Sequence, residues 1–279
     1  MRKSIFTLAT MVIALGSLNA HAVTVNYNDF SSTAGLTLNG SAGVVNTSDG
    51  DVMRLTPAVV GRNGSIFSSV AINASTFSTF FTFRITEPGG VLFDGNMESG
   101  ADGIVFVVQS VSNSIGGLGQ GIGYSGIGSS VGVEFDTWHN SVYGDPDSNH
   151  LGIDTNGNMN SLATTSLSTR FDDGNLWYAW VDYDGSTLEV RTNQTGIRPV
   201  DVTLSQNLDI VALLGQTTAY VGFTSATGSD WGNHDIVSWE YRGEFDPVGL
   251  PIPEPSSMTL MSLGMAGMLF RRVRNRDRT

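Results

Sequence analysis

The chain alternates short apolar or aromatic runs with clusters of Asn, Asp, Gly and Ser. The clearest runs are Phe77 to Thr86, Gly103 to Val108, Val131 to Trp138, Trp177 to Tyr183, Ala219 to Phe223 and Ile236 to Tyr241. Their lengths, and the turn-forming residues that bound them, predict β-strands rather than helices. From Val131 the period is two. Val131, Val133, Phe135 and Thr137 share one face, and Gly132, Glu134, Asp136 and Trp138 share the other. One short helix is predicted at Asn207 to Leu214. About a dozen strands without an internal repeat of fixed period predict an all-β domain built as a two-sheet sandwich. The Pro-rich stretch Pro247 to Pro255 reads as a linker.

The two ends of the chain read as addresses. Met1-Arg2-Lys3, the apolar stretch Ile5 to Leu15 and the small-residue triplet Ala20-His21-Ala22 have the order of a secretory signal, residues 1–22. The mature chain then begins near Val23, and the sandwich occupies residues 23–246. Residues 247–257 form the Pro-rich linker with its Pro253-Glu254-Pro255 motif. Residues 258–279 hold an uncharged run of 13 residues, Met258 to Phe270, followed by Arg271-Arg272-Val273-Arg274-Asn275-Arg276. That run is shorter than the roughly 20 residues that span a bilayer. A processing signal and a plain C-terminal anchor are the two readings it allows. Pro-Glu-Pro, apolar segment and Arg cluster in this order resemble the PEP-CTERM sorting tail of Gram-negative bacteria. The resemblance implies transient membrane association, processing by an exosortase-type protease, and export to the outer surface or the extracellular matrix.

Composition narrows the chemistry. With no Cys in 279 residues there is no disulfide framework and no thiolate ligand or nucleophile. The net charge of −12 argues against a nucleic-acid partner. Without its two ends the chain is more acidic still: residues 23–255 hold seven Arg, no Lys and 25 Asp or Glu, a net charge of −18. Self-repulsion on that scale is a motive to look for bound cations.

The richest stretch runs Val133-Glu134-Phe135-Asp136-Thr137-Trp138-His139-Asn140 and then Asp145-Pro146-Asp147-Ser148-Asn149-His150-Leu151-Gly152-Ile153-Asp154. Glu134 and Asp136 stand two apart on a strand, so their carboxylates project side by side and repel unless a cation or shared proton separates them. Asn140 and Asp145 add oxygen donors, and His150 adds an imidazole. Oxygen donors suit Ca²⁺; a set with one imidazole suits Mn²⁺ or another transition ion. On residue type and spacing alone, a solvated acidic loop remains equally open.

The same stretch resembles the metal-binding segment of the legume-type (L-type) lectins: Glu-x-Asp-Thr-aromatic-x-Asn, then Asp-Pro, then His-x-Gly-Ile-Asp. The resemblance implies a concanavalin-like jelly-roll sandwich of two antiparallel sheets and a pair of neighbouring ions. Glu134, Asp136, Asp145 and His150 would hold the transition ion, expected to be Mn²⁺. Asp136, the backbone carbonyl of Trp138, Asn140 and Asp145 would hold Ca²⁺. Three further segments fit. Ala101-Asp102-Gly103 resembles the strand whose Asp accepts hydrogen bonds from sugar hydroxyls. Gly116 to Tyr124 resembles the Gly-rich loop, with Gly119 where a backbone N–H meets the sugar. Gly222 to Trp239 resembles the specificity loop and the strand after it, in a form nearer the animal cargo-receptor branch and bacterial relatives than plant seed lectins. The residues after Thr227-Gly228 then touch sugar, here Ser229 and Asp230; animal members carry Asp where this chain has Ser229. The implied carbohydrate contacts are therefore Asp102, Gly119, Asn140, Gly228, Ser229 and Asp230. Trp138, Tyr143 and Trp231 are candidates for stacking on a sugar ring. The resemblance spans roughly residues 24–245.

Together these features describe a secreted or surface-exported, Ca²⁺-dependent lectin for exopolysaccharide or cell-surface glycan, and not an enzyme. Single-site binding would be weak, so several sites on one surface or in a homo-oligomer would be needed. Two other readings exist. Concanavalin-like sandwiches also host glycosidases, whose strand motif is Glu-x-Asp-x-x-Glu; here His139 stands where the second Glu belongs. The third reading is a structural matrix protein that binds no sugar.

Overall fold

The computed structural model describes residues 25–90, 99–114, 116–117 and 119–249. The predicted signal, the sorting tail and the linker beyond residue 249 lie outside the described residues. Among the described residues, sixteen strands form two eight-stranded antiparallel sheets. The first sheet runs β14 (Leu204–Asn207), β13 (Thr187–Asn193), β12 (Trp177–Tyr183), β7 (Phe77–Gly90), β16 (Asp230–Arg242), β4 (Gly50–Thr56) and β3 (Gly43–Thr47). In it β1 (Val25–Tyr27) pairs with the C-terminal part of β16. The second runs β11 (Asn158–Ser166), β10 (His150–Thr155), β9 (Ser130–Asp136), β8 (Gly103–Gln109), β15 (Thr218–Ala226), β5 (Asn63–Ser68) and β2 (Leu36–Gly40), with β6 (Ile72–Asn73) beside β15. The all-β sandwich expected from the apolar pattern is the observed fold.

The core lies between the sheets. Alternate residues of β7, β8, β9, β15 and β16 point inward and pack as aromatic rings. Phe81 meets Phe223 at 4.8 Å, Phe83 meets Phe135 at 5.1 Å and Phe223 meets Trp239 at 5.0 Å, all edge to face. Such pairs add about 0.5–1.5 kcal/mol each beyond the area they bury. The predicted run Trp177 to Tyr183 is β12 unchanged. The strand predicted to end at Trp138 stops at Asp136, because Thr137 N–H leaves the ladder to bond the Asp102 carbonyl at 3.1 Å. The predicted helix shortens to α1 (Ile210–Leu214). Asp209 caps it by accepting from Ala212 N–H, and Gly215 closes it with a left-handed φ of 71°. Asn207 instead ends β14. The strands that the named apolar runs do not include are the short pieces β1, β2, β3, β6 and β14 and also the longer β4, β5, β11 and β13, where polar residues interrupt the apolar ones.

Candidate functional site

Strands β8, β9 and β10 lie side by side, and their register builds the acidic end of the molecule. Asp136 pairs with Gly103 on one side and His150 on the other; Glu134 pairs with Val105 and Gly152. With Val133 and Phe135 turned into the aromatic core, Glu134 and Asp136 face outward together. Gly152 makes room for them: a Cβ there would stand 2.0 Å from Glu134 Oε1. The loop between β9 and β10 then folds back. Trp138 N–H donates to Asp136 Oδ1 and Asn140 N–H to Asp145 Oδ2, each at 2.6 Å. Ligating atoms of Asp136, Asp145 and His150 come within 4.8 Å of one another. Glu134 Oε1 stands 3.5 Å from His150 Nε2 and accepts from Ser161 Oγ at 2.7 Å.

His150 tests whether this cluster suits a cation. The ring is fully buried. Its Nδ1 lies 3.0 Å from the Asp147 carbonyl, which only accepts, so Nδ1 carries the proton. Nε2 is left buried with no hydrogen-bond partner, facing Glu134 and, at 3.9 Å, Asp145 Oδ1. A ring oriented by a backbone carbonyl, with its free nitrogen aimed at carboxylates, is what a transition ion requires. The carboxylates need compensation as well. Burial, then the charges of Glu134 and Asp145, push the Asp136 pKa well above the usual range. Burial chiefly raises Asp145 to about 6. Burial works to lower His150, but Glu134 and the charge of Asp145 outweigh it and leave the pKa raised. The donor set fits a mixed imidazole–carboxylate ion beside an oxygen-bound one.

A cavity of about 230 Å³ adjoins the loop, lined by Ala101, Asp102, Gln120, Trp138, Asn140, Gly228, Ser229 and Asp230. Asp102 is clamped by its backbone: its N–H donates to the Ala226 carbonyl and its carbonyl accepts from Thr137, both at 3.1 Å. The peptide before it is cis. Its Oδ2 is buried and unpartnered, and burial, then the Asp230 charge, raises its pKa to about 8. Gly119 opens a turn of 3-10 helix (Gly119–Gly121) and sits at the rim rather than in the lining; a Cβ on it would stand 3.7 Å from Gly228 Cα. The structure thus brings Asp102, Asn140, Gly228, Ser229 and Asp230 to one cavity, with Gly119 at its edge. Of the three stacking candidates only Trp138 lines it. Tyr143 packs against a separate apolar cluster, and the Trp231 ring covers Gly89.

Several residues escaped the sequence reading. Gln120 accepts from Asn140 Nδ2 at 3.2 Å and lines the cavity; its place inside the Gly-rich run was the available signal. Asp154, wholly buried, lies beside Glu134, and burial followed by the Glu134 charge raises its pKa well above normal. Arg170 forks onto Asp172 and reaches the Thr137 carbonyl and Ser148 Oγ, each at 3.3 Å. Asn149 donates to the carbonyls of Leu167 and Thr169 and accepts from Phe171 N–H. These last two brace the acidic loop between β9 and β10 from behind. Gly128-Ser129-Ser130-Val131-Gly132 also has the Gly-x-Ser-x-Gly spacing of a nucleophile elbow. Ser130, however, is buried at the start of β9 and bonds Tyr124 Oη and the Ile127 carbonyl, with no imidazole beside it among these partners.

A two-sheet sandwich with an acid-rich loop bracing a shallow polar cavity is the architecture of a carbohydrate-binding lectin. The legume lectin domain matches residues 22–251, and the chain belongs to that family. The PEP-CTERM protein-sorting motif matches residues 251–274, which marks the chain for export to the cell surface or extracellular space. A galactose-binding lectin of Arachis hypogaea is 32% identical over 239 residues, covering 80% of this chain and 83% of that protein. The L-type lectin-domain containing receptor kinase VIII.1 of Arabidopsis thaliana is 31% identical over 72% of this chain, which spans only 27% of the kinase. Among solved structures, peanut lectin with a nine-residue peptide has a TM-score of 0.65 at 27% identity, covering 78% of this chain and 95% of that one. Basic winged bean lectin with Tn-antigen has the same TM-score at 25% identity, covering 78% and 96%. These relatives are plant proteins; the nearer likeness of Gly222 to Trp239 to the animal branch, expected from the sequence, finds no counterpart among them. They are lectins or lectin-domain receptor kinases, and none of those named is a glycosidase.

Proposed function

We propose that the protein is an exported, Ca²⁺-dependent lectin whose cavity at Asp102 binds exopolysaccharide or cell-surface glycan. The observation that carries this reading is Asp102 itself: a buried carboxylate with an unpartnered oxygen, lining a cavity that shares Trp138 and Asn140 with the metal loop. Asp102 accepts two sugar hydroxyls, Asn140 donates from its amide, and the Gly119 N–H donates to a third oxygen. Gly228, Ser229 and Asp230 shape the outer wall and set sugar preference. Trp138 offers its ring to the apolar face of a sugar.

Asp136, Asp145, Asn140 and the Trp138 carbonyl hold Ca²⁺. Glu134, Asp136, Asp145 and His150 hold the transition ion, Mn²⁺ by donor type. The ions supply charge that offsets the buried carboxylates; they do no chemistry on the sugar. The chain's own hydrogen bonds set the loop, so part of the ordering cost of binding is met before sugar arrives. The name of the peanut relative makes galactose the first sugar to test. Water competes for each contact, so single sites bind in the millimolar to high-micromolar range, as an order-of-magnitude expectation, and oligomers or clustered copies supply avidity.

The test is Asp102→Ala. Binding to immobilised glycan should be lost while the unfolding temperature in Ca²⁺ stays close to that of the parent. Binding that survives the change refutes the site. The sorting tail makes the chain a substrate for an exosortase-type protease. An exported protein whose intact mass still includes Arg271 to Thr279 would contradict that.

A further inference from the structure

Three wholly buried polar side chains, Thr56, Ser225 and His234, connect to the backbone beside Asp102, and none of them lines the cavity. They form a chain across the end of the sandwich. His234 Nδ1 stands 2.7 Å from Thr56 Oγ1, Thr56 Oγ1 stands 3.0 Å from Ser225 Oγ, and Ser225 Oγ donates to the Gly103 carbonyl at 2.7 Å. Thr56 and His234 are cross-strand partners in the first sheet, and Ser225 belongs to the second. Both sheets are thereby tied to the residue that follows Asp102. Proton counting gives the chain one direction. The Gly103 carbonyl only accepts, so it takes the single hydroxyl proton of Ser225. Ser225 then accepts from Thr56, and Thr56 accepts from His234 Nδ1–H. Were Thr56 to donate to the ring instead, the Thr56 and Ser225 oxygens would face each other with no proton between them. A neutral ring is what burial enforces, pushing the His234 pKa down to about 3.

We propose that His234, Thr56 and Ser225 are positioning residues for the sugar site: their relay locks the Gly103 peptide and so holds the Asp102 carboxylate toward the cavity. The inference rests on the carbohydrate-binding reading above and extends it to residues that touch no sugar. Gly103 has a φ of 130°, and a Cβ there would stand 2.3 Å from the Phe135 carbonyl, so no side chain is admitted. Glycine restrains its own backbone least, which leaves hydrogen bonds to fix this peptide. Asp102 Oδ2 is buried and unpartnered, so the aim of that oxygen depends on the backbone that carries it. Three bonds set that backbone: Asp102 N–H to the Ala226 carbonyl, Thr137 N–H to the Asp102 carbonyl, and Ser225 Oγ to the Gly103 carbonyl. A carboxylate fixed before binding loses less freedom when sugar docks, and a loosened one loses affinity with every contact residue still present.

The experiment is calorimetric titration of the Ca²⁺- and Mn²⁺-loaded protein with galactose, N-acetylgalactosamine, glucose and mannose, beside hydrogen–deuterium exchange of the peptide spanning residues 100–106. Thr56→Val keeps the branched shape and removes the hydroxyl. It should weaken each sugar that the parent binds by about five- to ten-fold, the equivalent of one hydrogen bond. It should also speed exchange in that peptide by about ten-fold, through local opening. Thr56→Ser keeps the hydroxyl and should hold both readouts within about two-fold of the parent. Val190→Ala, a truncation of a buried core residue in β13, should lower the unfolding temperature and leave both readouts within about two-fold. That variant separates positioning from a general loss of stability. A Thr56→Val protein that melts lower, yet binds sugar and exchanges like the parent, would reduce the relay to glue between the sheets and overturn the inference. Losses as large in Val190→Ala or in Thr56→Ser would overturn it too. Should Thr56→Val fail to fold, Ser225→Ala removes the link next to Gly103 and faces the same criteria. No binding of any of the four sugars by the parent counts against the lectin reading, and the exchange comparison still decides the relay.

Discussion

The interior between the sheets and the outward face of β8 to β10 obey opposite rules. Inside, large side chains are apolar, and many of the polar atoms that enter are bonded. Trp239 Nε1 donates to Thr79 Oγ1 at 3.1 Å, and Tyr183 and Tyr241 donate to the carbonyls of Leu208 and Asn73. On the outward face, buried Asp102 Oδ2 and His150 Nε2 have no partner, and carboxylates crowd until burial and mutual charge raise their pKa values. The first region is satisfied largely within the chain, with Trp177 Nε1 an exception. The other gathers buried polar groups that the chain leaves unsatisfied, and the proposed cations and sugar would relieve them.

The largest effect should come from the first region. Phe83→Ala removes a ring that touches Phe81, Phe135, Phe171 and Trp177 and should cost about 3–5 kcal/mol by urea unfolding, equally with Ca²⁺ or chelator. A cost that depends on cations would blur the division. Next, the parent should gain about 2.7 kcal/mol from a cation at a hundred times its dissociation constant, and Asp136→Asn should gain nothing. In chelator the same variant should match or exceed the parent, because it removes a buried, repelled charge. A cation response retained by Asp136→Asn would break the assignment.

A smaller effect follows from pH. Folded Asp145 and Asp102 titrate at about 6 and about 8, above the unfolded carboxylate value. Groups raised in this way contribute stability that is full below the unfolded value and fades as pH rises through the folded one. The chelated protein should therefore melt at higher temperature as pH falls from about 8 to about 5, while the loaded protein loses its cation stabilisation as its ligands take up protons. Parallel pH curves would contradict the claim that these carboxylates await cations. The smallest effect belongs to Tyr143→Ser: the side chain lies outside the cavity, so sugar affinity should stay within about two-fold of the parent in the same titration.

Much of this division was written in local sequence. The two-residue period from Val131 sent Phe135 inward and Asp136 outward, and the candidate ligand residues fall in one contiguous stretch, although spacing alone left a solvated acidic loop open and the family resemblance supplied the ligand set. What spacing could not carry is contact across distance. Gln120 reaches Asn140 from another loop, Arg170 braces Thr137 from a turn 33 residues away, and Asp154 meets Glu134 only because β9 and β10 pair in that register. Trp231 looked equivalent to Trp138 as an aromatic in a specificity loop, yet the strand pairing of β16 with β7 lays it on Gly89. Short edge strands such as β2 and β3 were invisible for a related reason: half-exposed edges need no apolar run, and their pairing partners define them.

The central claim is that cations organise the sugar site. Its most direct test is glycan-array binding of the exported domain in Ca²⁺ plus Mn²⁺, in chelator, and after the cations are restored. The account predicts a signal that disappears with chelator and returns with the ions. A signal unchanged in chelator would mean that sugar binds elsewhere, or without the loop that Asp136, Asp145 and His150 hold.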